Sequence, residues 1–293
     1  QLGQKNQQYW NMLGISVLDY FDLYRKFTYV RQESYKLNYI AKVELGEQKL
    51  DNPYETFKDF YTKDYQRFVE YNIQDVELVD RLEDKMKLIE LCLTMAYDYK
   101  VNYTDVYSQV RCWDTLIYNH LKKKHIVVPP REDQEKATQY EGAYVKDPDL
   151  GLHKWIVSFD LNSLYPHLIM QYNISPETYV GVETKGMSVE NMLNQQLNLE
   201  WAKNKDVAIS ANGAMFRRDK QGFLPELMQK MYGDRVIYKK KMIEAKKEFQ
   251  KTKDPIYKNE IARCHNIQMA KKISLNSAYG AIGNQYFRYF EKN

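Results

Sequence analysis

With 293 residues, the chain is long for one domain and sufficient for two. Apolar residues make up 44% and charged residues 28%, and no uninterrupted apolar run approaches the length of a membrane span, so disorder and a membrane helix are both excluded. Three Cys at unrelated spacings argue for a reducing compartment without a disulfide framework, and Cys112, His120 and His125 fit no zinc spacing. The chain starts at Gln1 with no initiator Met and no signal-like core, which reads as a piece of a longer protein.

In chain order, Ile15 to Leu18 reads as a short strand, and Ser34 as the cap of a helix through Tyr39 to Val43. Apolar residues at threes and fours (Phe68, Val76, Val79, Leu82, Met86, Ile89) predict a long helical region from about Asp64 to Tyr99. A mixed segment follows to Val128, and Pro129-Pro130 marks a domain boundary. Lys154 to Leu161 (KWIVSFDL) reads as a buried strand ending at Asp160, and Asn162 to Tyr172 as a helix with Pro166 in its first turns. Two helices, Pro225 to Gln250 and Pro255 to Tyr279, joined by a polar turn at Lys251 to Asp254, complete an antiparallel hairpin.

The net charge of +4 is unevenly spread. Lys230 to Lys272 holds 13 basic and 5 acidic residues, a block that suits a polyanionic partner. A solvated helix face laced with i,i+4 ion pairs explains the same charges. Asp160, at the end of a strand that turns into a helix, offers a carboxylate to a divalent metal beside backbone N–H groups suited to phosphate, or else merely caps that helix. Lys272, Asn276 and Tyr279 recur at steps of four and three, which puts charge, hydrogen bonding and a stacking plane on one helix face, a set suited to a nucleotide. Arg235 and Lys239 repeat the i,i+4 step on the preceding helix.

SFDLNSLYPHLIMQYNISPET (Ser158 to Thr178) resembles motif A of the family B DNA polymerases, the DxxSLYP signature. KKISLNSAYGAIGN (Lys271 to Asn284) resembles their motif B, KxxxNSxYG. Val17 to Phe27, Tyr71 to Asp80 and Tyr140 to Pro148 agree, and the detail is most similar to the replicative enzymes of T-even-like tailed phages within that family. The resemblance covers essentially the whole chain. It implies a mixed α/β, multidomain fragment. Residues 1–87 are the C-terminal part of a 3′-5′ exonuclease domain and 88–130 a return segment of the N-terminal domain. Residues 131–221 are the first half of a palm with part of its sheet, 222–284 the fingers hairpin and 285–293 the start of a second palm segment.

Carried over by position, the resemblance makes Asp160 a catalytic aspartate holding Mg2+, with the Leu161 carbonyl a further ligand in a site for two ions. Ser163, Leu164 and Tyr165 lie along the dNTP triphosphate, and Tyr165 packs under the sugar as a gate against ribose. Arg235, Lys239 and Lys272 grip the phosphates, with Lys272 also counted as catalytic. Asn276, Tyr279 and Gly280 form the surface under the nascent base pair. Tyr71 and Asp75 match the exonuclease YxxxD motif, Asp75 as a ligand of a divalent metal there. Tyr140, Gly142 and Ala143 match the element that tracks the DNA template. The partners implied are primer–template DNA, dNTP and a sliding clamp reached through a C-terminal segment not in this chain, with no membrane. The setting is the cytoplasm of an infected bacterium.

The family's second palm aspartate belongs to a YxDTDS motif beyond motif B. Only 13 residues follow Gly280, and they contain Glu291 and no Asp. Tyr232-Gly233-Asp234 and Asp147-Pro148-Asp149 imitate such motifs by letters only. The expectation is therefore a polymerase fragment that is inactive alone, with two rivals: a non-catalytic nucleic-acid-binding protein, or one subunit of a split polymerase. His167 stands where the family carries a small residue, and the sequence gives it no role.

Overall fold

Helix-forming sequence fills the first part of the computed structural model, which describes residues 12–28, 30–130, 145–183, 185–197 and 199–290. The chain divides into two compact units, Gln1–Tyr107 and Ser108–Asn293.

In the first unit, α1 (Tyr20–Phe27), α3 (Phe57–Lys63) and α4 (Tyr65–Met86) each begin at a side-chain cap: Asp19, Thr56 and Asp64 accept from the amides of Phe21, Asp59 and Arg67. Helix α2 (Leu37–Leu45) ends at Gly46, whose left-handed φ of 76° suits a residue without Cβ. Helix α5 (Leu88–Tyr99) leads to a 3-10 turn at Tyr103–Tyr107. Helices α2 and α3 pack on α4, and α1 packs on α5. Leu23, Ile40, Leu78, Leu82 and Met95 are among the residues buried within this unit.

Two expectations fail here and a third is refined. Ile15 to Leu18 forms no strand; Ile15 and Val17 are exposed, and nothing among the described residues offers them a ladder. Lys36 occupies the cap of α2, while Ser34 accepts from the Lys36 amide just ahead of it. The long helical region is helical as expected and is divided only at Lys87, which adopts a left-handed backbone (φ 55°) and ends α4 by donating to the Glu83 carbonyl.

The second unit is built around a pair of long helices, α10 and α11 below. Before them come α6 (Gln109–Lys123), α7 (Leu164–Tyr172), a 3-10 turn at Pro176–Thr178 and strand β1 (Tyr179–Val182). The short helices α8 (Val189–Leu193) and α9 (Glu200–Asn204) precede strands β2 (Val207–Ile209) and β3 (Ala214–Arg217). The sheet is antiparallel in the order β1-β3-β2, with Ile209 opposite Met215 and Val182 opposite Ala214. Its hairpin turn needs Gly213: at φ 88°, an added Cβ would lie 1.9 Å from the Glu183 carbonyl oxygen.

Helices α10 (Phe223–Thr252) and α11 (Pro255–Ile282) pack along one another. Lys271 pairs with Asp234 and Arg263 lies over Tyr238, so higher numbers on α11 meet lower ones on α10 and the pair is antiparallel. The connection is two residues, Lys253 in the left-handed region and Asp254, whose carboxylate caps Ile256. Trp113, Ile117 and Leu121 of α6, Ile169 of α7, Leu224, Leu227 and Met228 of α10, and Leu275 and Ala278 of α11 close the core. Trp113 donates to Ser277 (3.3 Å), which donates to Gln109 (2.8 Å), tying α6 to α11.

The expected strand from Lys154 to Leu161 is also not formed. Trp155 is 97% and Phe159 90% exposed, and no residue of the run pairs with another strand among those described. A run that is apolar on both faces becomes a strand only when neighbours flank it and layers cover it.

Candidate functional site

Ser163 marks the place where that run gives way to a helix. Its left-handed backbone (φ 55°, ψ 48°) turns the chain into α7, and its carbonyl accepts from the His167 amide at 3.1 Å. The His167 ring closes the same turn, with Nδ1 2.9 Å from that carbonyl, and lies edge-on to Tyr232 of α10 at 4.7 Å between centroids. The Ser163 hydroxyl accepts from Arg235 Nη1 at 3.3 Å. Arg235 Nε is buried with no partner among the described residues. One turn along, Tyr165 stacks on Tyr279 of α11, centroids 4.7 Å apart and planes 12° from parallel.

Three helices thus bring Ser163, Tyr165, Arg235 and Tyr279 together. Lys239 stands exposed one turn beyond Arg235, and Lys272 is half-buried on α11. Asn276 and Gly280 are exposed on α11, and a Cβ at Gly280 would meet open space. Leu164 is exposed at the start of α7, whose first amides have no partners within the helix. The result is a cationic and aromatic face beside a helix N-terminus, able to hold a flat, anionic ligand.

Asp160 and Leu161 precede this turn as exposed residues outside any helix or strand, which corrects the expectation of a carboxylate at a buried strand's edge. Among the described residues no three His, Cys, Asp or Glu side chains gather closely enough to hold a metal ion. One exposed carboxylate does not make a site for two cations.

The loop after α7 secures the root of α10. Asn173, left-handed at φ 56°, accepts from the Gly222 amide (2.9 Å) and donates to the carbonyls of Arg217 and Lys220. Glu177 accepts from the Phe223 amide (2.6 Å) and Ser175 from that of Leu224 (3.4 Å). The amides that every helix start leaves open are thus satisfied from the NISPE segment. His167, Tyr232 and this clamp are functional candidates to which the sequence alone assigns no role. An Asn directly after a helical run is a recognised left-handed stop signal, the cue by which Asn173 could have been found.

The second candidate group lies in the first unit. Tyr71, Asp75, Leu78 and Leu82 follow one another at steps of four, three and four on α4, and Asp75 is half-buried on that inward face. Its Oδ2 pairs with Lys49 Nζ at 2.7 Å, while Oδ1 is buried without a partner among the described residues. Lys49 also stands 4.7 Å over the Tyr71 ring. Burial pulls the Lys49 ammonium down, but the oxygens of Asp75 and Tyr71 outweigh it and hold the group above its ordinary value. Phe57 and Phe60 meet the Tyr71 ring edge-on. Tyr140, Gly142 and Ala143 lie outside the described residues.

A family model described as DNA polymerase family B matches residues 101–290, more than half of the chain. The DNA-directed DNA polymerase of Escherichia phage RB69 is 32% identical, over 96% of this chain and 35% of that protein. The DNA-directed DNA polymerase of Enterobacteria phage T4 is 30% identical, over 98% of this chain and 36% of that protein. The chain therefore spans about a third of the length of these relatives. The fold is similar to that of the family B DNA polymerase from the archaeon Pyrobaculum calidifontis, with a TM-score of 0.69 at 21% identity over 97% of this chain and 34% of that one.

Proposed function

The chain belongs to DNA polymerase family B, and we propose that it is the central portion of an enzyme that adds dNTPs to a primer 3′-OH on a DNA template, in the cytoplasm of a phage-infected cell. The observation that carries this reading is the meeting of Ser163 and Tyr165 with Arg235 and Tyr279 on three adjoining helices. Phosphoryl transfer asks for positioning and for neutralised phosphate charge more than for covalent chemistry. Arg235, Lys239 and Lys272 supply the positive charge, and the open amides at the start of α7 face the same ligand beside Ser163 and Leu164. Tyr165 takes the sugar, and Asn276, Tyr279 and Gly280 bound the base pair. In these terms residues 222–284 are the fingers and 131–221 the first half of the palm, with 285–293 returning to it.

Divalent cations serve the chemistry of this family, neutralising phosphate and activating the attacking hydroxyl when bound. Asp160 and the Leu161 carbonyl are this chain's contribution to that site, and a second carboxylate has to come from outside the described residues. We assign Asp75 and Tyr71 to an editing exonuclease in residues 1–87, with Lys49 supplying the countercharge that a metal otherwise gives the carboxylate, and 88–130 to the adjoining N-terminal domain. Tyr140, Gly142 and Ala143 are assigned to template contact.

The test is primer extension by the complete polypeptide. Asp160→Ala is expected to cut extension by about 10²–10³-fold or more, the scale of losing a charge-stabilising group. Tyr165→Ala is expected to admit ribonucleotides. Undiminished extension by Asp160→Ala overturns the assignment; salt-sensitive DNA binding with no turnover in the unaltered protein favours a purely binding role.

A further inference from the structure

The positive charge of the helix pair extends well past the residues that one nucleotide can use. Arg235, in contact with Ser163, marks the nucleotide end of α10. At 1.5 Å per residue, Lys247 lies about 18 Å farther along the helix and Lys251 about 24 Å, beyond the reach of the same triphosphate. The lysines of this stretch are ordered on the helix surface. Lys239 and Lys246 are seven residues apart, as are Lys240 and Lys247, and steps of seven return almost to one direction. Lys253 follows directly after the helix, its Nζ 5.8 Å over the Phe249 ring. Lys251 follows Lys247 by one turn. The opposite face, with Ala245 buried and Tyr238, Met242 and Phe249 half-buried, packs inward, and all six lysines are exposed.

Countercharge is outnumbered there. Glu244 is exposed among the lysines, Glu248 is engaged by Lys251 (2.7 Å), and Asp254 is committed to capping α11. Among the described residues no ion pair involves Lys239, Lys240, Lys246 or Lys247. The patch is felt inside the pair as well: burial, and then the charge of Lys246, hold His265 below its ordinary value.

We propose that the distal end of the α10–α11 pair, through Lys246, Lys247, Lys251 and Lys253, binds the phosphate backbone of a single nucleic-acid strand at a place separate from the nucleotide site. An extended polyanion is the ligand that matches rows of cations along a rod. The choice of one strand over a duplex rests on the polymerase reading, in which template ahead of synthesis is unpaired.

The experiment titrates fluorescein-labelled dT20 onto the 293-residue chain at increasing KCl. Replacing the four lysines with Gln (K246Q, K247Q, K251Q, K253Q) is expected to weaken binding about 10- to 100-fold at low salt. It should also flatten the slope of log K against log salt by about 0.7 for each phosphate no longer neutralised, up to about 2.8. The corresponding four Lys→Arg changes should restore both, which separates charge from folding. Absence of binding by the unaltered chain, an unchanged slope in the Gln variant, tighter binding of a duplex of equal length, or equal binding of poly-glutamate each overturns the proposal. No nucleotide, metal or turnover enters the assay, so a failure of the polymerase reading shows itself elsewhere, in primer extension.

Discussion

Helix α11 carries one of the two stretches that most resemble polymerase motifs and the run from Lys154 to Leu161 opens the other, and they behave in opposite ways. Helix α11 holds Leu275, Ala278 and Ala281 in the core and leaves Asn276 and Gly280 on the surface. The run holds nothing in: Trp155, Ile156, Val157 and Phe159 all face outward. The difference lies in where each segment finds its hydrogen bonds. A helix satisfies its backbone from within its own sequence and needs a neighbour for one stripe only, which α6 and α10 provide. An extended segment must borrow every ladder bond from another strand, and it stays bare until one arrives. A motif on a helix is therefore placed by the local chain, whereas a motif on a strand is placed by the rest of the sheet.

Substitutions that separate the two segments make the contrast measurable. The largest effect belongs to the helical core: Leu275→Ala and Met228→Ala, both at fully buried positions, are expected to cost about 2–5 kcal/mol in urea unfolding. Next is Gly222→Ala at the root of α10. Its Cβ would lie 2.5 Å from that of Ser175, and overpacking of this kind costs about 1–3 kcal/mol.

A smaller contribution comes from Glu226, which joins α10 to His120 of α6 and to Lys124 at that helix's end. The hydrogen bond from Lys124, aided by His120, holds its carboxyl below the ordinary value. A depressed acid stabilises the fold above its unfolded pKa and loses that contribution as pH falls through the folded one. Stability is thus expected to decline below about pH 4.5, and Glu226→Gln to flatten that limb by under about 1 kcal/mol for so exposed a pair. The smallest effect is Trp155→Ser, within about 0.5 kcal/mol despite the loss of an indole, because in this chain the ring covers nothing. A cost near that of Leu275→Ala would show that the run has found a partner and would erase the contrast.

The same physics decided what the sequence could reveal. The helix pair was readable almost to its ends, Pro225 to Gln250 and Pro255 to Tyr279 against Phe223–Thr252 and Pro255–Ile282, since Asp254 and Pro255 announce a start in adjacent letters. Helix α7 was expected from Asn162 and begins at Leu164, because Ser163 is spent on the left-handed turn. Strands β2 and β3 went unread, although Asn212-Gly213 between two short apolar runs is a hairpin signal. At the site, the step from Lys272 to Asn276 to Tyr279 is local and was legible. The bond between Ser163 and Arg235 spans 72 residues of chain, and only the resemblance joined the two. For Asp75, the inward face of α4 follows from spacing, but its pairing with Lys49 across 26 residues does not.

The clamp that Asn173, Ser175 and Glu177 place on the first amides of α10 has a mechanical side. A rod bolted at its root transmits torque instead of swivelling. A load at the far tip of α10 arrives at the segment that also ends α7, within one short helix of Ser163 and Tyr165. A force applied at the distal lysines is in that sense felt at the turn that holds Ser163 and Tyr165, delivered through some forty ångströms of stiff helix (about 1.5 Å for each residue of α10).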